Sequence, residues 1–380
     1  MSTAGILANA YIDVNILLAV ALVVWLALKQ ALTALGVSAP PSLWLNLLRL
    51  GILAALLAPL ALSLLAQTAL WPAGGLLSSV SLTDYVIAQY LQGRLGLGPS
   101  EVEALVTLRQ RLGSSLGSAD AGPGAVVAVA LGLGFVALGG RFLRGVLALR
   151  RVLAQCHRWR RSGRLHLLFS DSVAVPFATR SLGRKYIVLP SAMLCDRRDL
   201  AFAVAHEGRH LRNGDVEWEV LFEGLTPLLF WNPAFLIWKA QARRLRELVC
   251  DRSVLARRPA AVRDYCEFLL RVGGRGVRAA RPAFPAAALA PVGRGVLGRR
   301  TGLTLRQRVV ALLDPCEPRQ RRSLSLCCGC LLAAAVLLSA VWVRQPATVS
   351  TERLHLATIV ILERMTENRP ERGYNLVMGY

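Results

Sequence analysis

Apolar residues run almost unbroken through four stretches of this chain, near 12–34, 43–66, 124–148 and 324–343. A helix needs about 20 such residues to cross the hydrocarbon of a bilayer, so each stretch is long enough to span one. A fifth run, VLFEGLTPLLFWNPAFLIW at 220–238, is nearly as long but carries Glu223, Pro227, Asn232 and Pro233. The first stretch lacks a basic leader and a clear small-residue cleavage site, and it reads as a retained anchor.

Between these runs the pattern changes several times. Residues 81–96 and 99–113 are amphipathic, and Ser100 with Glu103 makes a capping box, so 67–123 predicts a helical hairpin. A basic helix is expected over about 141–163. In 165–194, Val173, Val175, Phe177, Tyr186, Ile187 and Val188 are strand formers and SLGR can turn between them, predicting two or three short antiparallel strands. Pro176 cannot donate to a neighbour and suits an edge strand. Asp196 is placed to cap a helix through DLAFAVAHEGRHLR, and 239–258 and 303–313 also read as helices. The Gly, Pro, Ala and Arg of 273–300 predict a mobile loop.

Charge orients these elements. The net charge of +22 comes from 42 Arg and three Lys, which invites a nucleic-acid reading. The arginines instead gather beside apolar runs: eight lie in 141–164 without an acid, and Arg319, Arg321 and Arg322 precede the fourth run. The positive-inside rule therefore puts 150–323 in the cytoplasm and both termini outside, with no direct nucleic-acid binding expected. None of the eight cysteines falls in a segment assigned to the outside, as a reducing interior would favour. CCGC at 327–330 reads as small-residue helix packing rather than a metal cluster. The expected order is two transmembrane helices in 1–66, an outer loop over 67–123, a third span over 124–149, a cytoplasmic domain over 150–323, a fourth span over 324–343, and an outer tail over 344–380.

Candidate chemistry sits in AVAHEGRHLRNGD at 203–215, with two of the five histidines. On a helix, positions i and i+4 share a face, so His206 and His210 can offer two imidazole nitrogens to one ion. Glu207 then lies where a general base for water belongs, the H-E-x-x-H arrangement of zinc hydrolases. Gly208 is awkward inside a helix, and leaves room for a segment packed close above the metal. A third ligand is needed, and Glu247 in RELVCDR is the candidate, with Asp251 one turn on to accept from a ligand imidazole N–H. If these residues meet on one side of a membrane, 220–238 cannot cross it once. It must dip in and return, or lie at the interface, broken near Pro227 or at 232–233.

The segments AVPFA, YIVLP, HEGRHLRNGD, LFWNP, RRLRELVCD and LRQRVVALL together resemble the BlaR/MecR-type antirepressor membrane metallopeptidases. The resemblance implies a gluzincin-like fold with one Zn2+ per chain on His206, His210 and Glu247, and Glu207 as general base. It adds Asp215, five residues after the second histidine, to Asp251 as support for the ligands. It also implies a multi-pass protein of a bacterial-type cytoplasmic (inner) membrane. Relatives usually carry a bulky aliphatic where Gly208 stands and no glycine at 214. Antibiotic-sensing members end in a penicillin-binding domain with a Ser-x-x-Lys nucleophile. Here only 344–380 follow the fourth run, and Leu26, Leu182 and Leu236 stand three before the three lysines. A signal is expected to arrive otherwise, or from a separate sensor partner.

The fold class expected is an α+β membrane protein. A four-helix transmembrane bundle would carry a mainly helical, zincin-like cytoplasmic protease domain with a small antiparallel sheet. The function expected is an integral-membrane zinc metalloendopeptidase of signal transduction, cutting a cytoplasmic protein or itself. By resemblance that protein is a repressor of winged-helix type. The edge strand Val173, Ala174, Val175, Pro176, Phe177 and Ala178 would align an extended substrate by strand addition, or merely complete the domain. Two other readings stand beside this one: a heat-shock-type quality-control protease, and a non-catalytic transducer on the same fold.

Overall fold

The computed structural model describes residues 3–65, 123–181, 183–256, 259–278, 287–288, 305–313 and 322–343, with a few positions between 87 and 104 and at 358–359. The capping box at Ser100 and Glu103, most of the outer loop, most of 279–300 and nearly all of the tail lie outside them. The chain divides into two compact units, one of 1–17, 54–129 and 334–380, the other of 18–53 and 130–333. In the first, Ile87 and Val102 are buried together against Tyr90. The second unit contains every candidate site residue.

The long apolar helices of the chain are α1 (Thr3–Ala34), α2 (Pro41–Leu65), α3 (Pro123–Gln155) and α9 (Arg322–Val343). Each contains a stretch long and apolar enough to cross a membrane: Ala10–Ala34, Pro41–Leu62, Ala125–Gln155 and Ser323–Val343. These agree with the four runs read from the sequence. Cys328 is buried in α9, and a side chain at Gly329 would reach Leu50 of α2 at 3.4 Å, the close helix packing expected of CCGC.

The basic helix ends earlier than expected. After Gln155 the chain becomes β1 (His157–Ser162), every residue of it exposed. An arginine run has no apolar period to distinguish strand from helix, and main-chain pairing with β2 (Leu165–Ser170) decides it. β3 (Phe177–Ser181) and β4 (Arg184–Pro190) form a hairpin through Gly183, whose φ of 77° is one that L side chains rarely adopt. A two-residue strand, β5 (Ala287–Ala288), completes the order β1-β2-β4-β3-β5. The sheet is therefore mixed, not antiparallel, because β2 and β4 run parallel. Alternation assigns faces but not partners, and the chain crosses over before β3. That crossover contains Val173, Ala174, Val175 and Pro176, so four of the six positions expected in a substrate-aligning strand are not strand at all.

The sheet's period of two divides its residues between two cores. Phe169, Ala178, Ile187 and Leu189 face a core shared with α4 (Arg197–Asn213), α5 (Asp215–Leu229), α6 (Pro233–Leu255) and α7 (Val262–Arg278). Leu168, Phe177 and Val188 face Leu149, Val152 and Leu153 at the end of α3. α7 continues through Gly273 and Gly274 into the region expected to be loop. At Gly273 an added Cβ would lie 2.8 Å from Leu305 of α8 (Leu305–Leu313), so the missing side chain admits the neighbouring helix.

The 220–238 run is a helical hairpin rather than one rod. α5 ends at Leu229, and Asn232 caps α6 by accepting from the N–H groups of Ala234 and Phe235. Pro227 sits within α5 without ending it. Phe230, at the tip, packs on Gly134 of α3, where there is no room for a side chain. Leu228, Trp231 and Ile237 around that tip remain exposed.

Candidate metal centre

Helix α4 carries the histidine pair, and both of its ends are set by the local sequence. Asp196 accepts from the N–H groups of Arg198 and Asp199, and Gly214 ends the helix at φ 70° while its N–H bonds the His210 carbonyl. Gly214 is thus a helix stop that turns Asp215 back toward the ligands. Among the described residues nothing lies within 4 Å of a side chain built at Gly208, so none of them forms the close-packed segment expected there.

His206 and His210 are fully buried, and their Nε2 atoms lie 3.1 Å apart. Glu247 of α6 completes the group, Oε2 at 3.6 Å from His206 Nε2 and Oε1 at 3.8 Å from His210 Nε2. For zinc ligands at about 2.0–2.2 Å in a tetrahedron, ligand atoms lie roughly 3.3–3.5 Å apart, and these three separations bracket that value. The tautomers point the same way. His206 Nδ1 lies 2.8 Å from the Tyr265 hydroxyl and 3.3 Å from Asp251 Oδ1, while Tyr265 donates to Asp251 at 2.8 Å. His210 Nδ1 lies 2.8 Å from Asp215 Oδ2. With both Nδ1 protons directed to acceptors, two bare Nε2 lone pairs face one another and the Glu247 carboxylate, whose Oε2 has no hydrogen-bond partner. Such a cage is stable only around a cation, and its nitrogen and oxygen donors suit zinc. Without a metal a proton serves: burial opposes charge on His206, yet Asp251 and Glu247 prevail and lift it to about 9. Burial lowers His210, against the pull of Asp215.

The acids are held by arginines. Burial alone would raise Glu247, but Arg308 and the histidines outweigh it and hold it at about 2. Arg308 of α8, 1% exposed, donates to both oxygens of Asp251 at 2.8 and 2.6 Å and lies 3.2 Å from Glu247. Arg246 reaches Glu219 at 2.8 Å, and Arg243 joins it there at 2.9 Å. Arg243 is thus occupied by α5, not by Glu247 or Asp251.

Glu207 is fully buried, and neither carboxylate oxygen closes a hydrogen bond, although the Ala178 backbone of β3 lies near enough to favour its charge slightly. Burial raises it to about 8. Among the described residues it is a buried carboxyl group with no hydrogen-bond partner, beside the cage.

All the ligand and supporting residues read from the sequence come together here: His206, His210, Glu247, Glu207, Asp251 and Asp215. Of the proposed substrate strand, only Phe177 and Ala178 lie in β3. Their outer edge is not open, since they pair with Ala288 and Ala287 of β5. Sequence reasoning missed Arg308, Tyr265 and Arg49. An arginine in an amphipathic helix and a tyrosine in DYCEF carry no signal of their own, but Arg49 did, as a charge inside an apolar run. Cys250 joins the second flank, its thiol 3.4 Å from Asp215 Oδ2 and 3.2 Å from His210 Nδ1. His210, Asp215 and Cys250 could themselves be taken for a metal group. The 2.8 Å contact between the first two is a direct hydrogen bond with no space for an ion.

No curated protein matches the chain. The family model described as BlaR1 peptidase M56 matches residues 124–288, a stretch that contains α3, the whole sheet and α4 through α7. The family is one of membrane-associated metallopeptidases. The cage, its supporting acids and the unpartnered glutamate all fall inside the matched residues, whereas Arg49 and Arg308 fall outside. The resemblance drawn from the sequence is therefore borne out: through this stretch the chain matches the BlaR1 peptidase family model.

Proposed function

We infer that the protein is an integral-membrane zinc metalloendopeptidase of signal transduction, cutting a cytoplasmic protein, a winged-helix repressor among the candidates, or its own chain. The observation that carries this reading is the buried, unpartnered carboxylate of Glu207 beside a cage of His206, His210 and Glu247. Those three residues would hold the zinc ion, which when bound would supply Lewis-acid chemistry for polarising a peptide carbonyl and activating water near neutral pH. The remaining work belongs to the protein. Asp251, Tyr265 and Asp215 hold the Nδ1 protons, so that both Nε2 atoms are presented as ligands. Glu207, raised by burial, takes the proton of the attacking water and returns it to the leaving amine.

β3 favours an extended substrate. Ala178 lies beside Glu207, and its strand partner Ala287 belongs to the chain itself. A stretch of this protein thus occupies the place where an added strand would lie, which supports self-processing as one of its reactions. The hairpin of α5 and α6, its tip on Gly134 of α3, fits a segment that dips into the membrane and returns. With the arginines of 141–164 inside, the site faces the cytoplasm.

The test compares the full chain with Glu207→Gln, following a candidate cytoplasmic repressor and the chain's own fragments. Cleavage should fall by about 10²–10⁴-fold while one zinc per chain is retained. Equal processing by both proteins would remove the peptidase reading.

A further inference from the structure

Arg49 is a charged residue roughly two turns into α2, inside one of the four helices apolar enough to cross a membrane. An ionisable residue in such a place is costly and normally has a partner that explains it. Here the partner is the site itself. Arg49 Nη2 donates to Asp215 Oδ1 at 2.5 Å, Nη1 donates to the Asn213 carbonyl at 3.3 Å, and the guanidinium lies over the Trp218 ring at 5.3 Å. Asp215 is fully buried, and its other oxygen meets His210 Nδ1 at 2.8 Å. One carboxylate therefore joins the candidate span on one oxygen to a metal ligand on the other.

We propose that Arg49 is a positioning residue for the metal ligand His210, acting through Asp215, so that the seating of α2 against α5 sets how tightly the site holds its ion. This rests on the metal-site reading above. The guanidinium orients Asp215 through a charge-assisted hydrogen bond, and Asp215 in turn fixes the His210 ring and strengthens its Nε2 as a donor. α2 is also fitted closely elsewhere. A side chain at Gly51 would meet Trp238 of α6 at 3.0 Å, and the Trp25 ring of α1 packs between Trp44 of α2 and Trp238 at about 6 Å from each. Glu247 lies further along the same α6. A shift of α2 would thus be felt at two of the three ligands, most directly at His210. Arg246 lies near Asp215 but contacts only its backbone carbonyl, at 3.4 Å, so it does not duplicate Arg49.

The test measures zinc affinity of the full chain in detergent by competition with a chromogenic chelator, together with the visible spectrum of the cobalt-substituted protein. Arg49→Met should weaken zinc binding about tenfold and alter the cobalt spectrum, whereas Arg49→Lys should recover part of the loss. In an Asp215→Asn background the same Arg49→Met change should have little further effect. If Arg49→Met leaves affinity and spectrum unchanged, or weakens binding equally in both backgrounds, Arg49 does not act through Asp215. Arg49→Lys carries the test should Arg49→Met fail to fold, and affinity equal to wild type in that variant overturns the inference. Absence of zinc binding by the wild type would instead sink the metal-site reading itself.

Discussion

The two imidazoles stand one helical turn apart, yet they are held from different parts of the chain. His206 is supported by Tyr265 of α7 and Asp251 of α6, with Arg308 of α8 behind them. That flank is closed and wholly buried: Tyr265, Asp251 and Arg308 are each at most 1% exposed. His210 is supported by Asp215, only five residues along, and the anchor behind Asp215 is Arg49 of α2. One ligand is therefore fixed by packed helices of the catalytic region, the other through a candidate membrane helix. A site built this way can keep its fold while one of its ligands responds to the position of a span.

The comparison breaks most sharply at Asp251. Asp251→Asn takes an ionised partner from the buried Arg308 guanidinium, and breaking a buried charge pair in this way costs about 3–5 kcal/mol. Asp215→Asn should cost less stability, because Arg49 keeps the Asn213 carbonyl and the Trp218 ring, while zinc affinity should fall about 10–100-fold. Denaturant unfolding in detergent and a chelator competition separate the two effects. Equal stability losses from the two substitutions would mean that both flanks are structural and neither is adjustable.

A smaller effect belongs to acid pH, at the α5–α6 hairpin that bears on the second flank. Burial tends to raise Glu219, but Arg246 and Arg243 overcome it and hold it at about 2, against an ordinary 4.5. A depressed carboxylate contributes stability that is complete above the unfolded value and lost as pH falls through the folded one. Unfolding measured from pH 6 downward should show stability declining between about 4.5 and 2, and Glu219→Gln should make that decline shallower. An unchanged slope would show that Glu219 is not ion-paired in solution.

Much of this was legible in the sequence because local rules produced it. Hydropathy marked four long helices, and the spacing of His206, His210, Glu247 and Asp251 placed ligands and support on two helix faces. Asp196 and Asn232 announced helix starts through side chains that cap their own backbone. What escaped reading was decided by partners distant in the chain. The parallel pairing of β2 with β4 depends on a crossover that no alternation encodes. The strand at 157–162 exists because β2 lies beside it. Arg308 carries no local signal, because only the docking of α8 buries it. Asp215 makes a shorter contact to a ligand than Asp251 does, yet its place depends on the φ of Gly214, which no local pattern announces.

The smallest expected effect decides what seats α5. Arg180 of β3 pairs with Glu217 of α5, two residues beyond Asp215, so α5 is tied to the sheet as well as to α2. Both side chains are nearly half exposed, at 45% and 42%, and pairs of that kind contribute about 0–1 kcal/mol. Glu217→Gln should therefore shift the unfolding midpoint slightly, leave zinc affinity at the wild-type level, and lose even that slight shift in high salt. If it weakened zinc binding as strongly as Arg49→Met, the sheet would be positioning Asp215. The two imidazoles would then share one scaffold, and the distinction between a fixed ligand and a membrane-coupled one would fall.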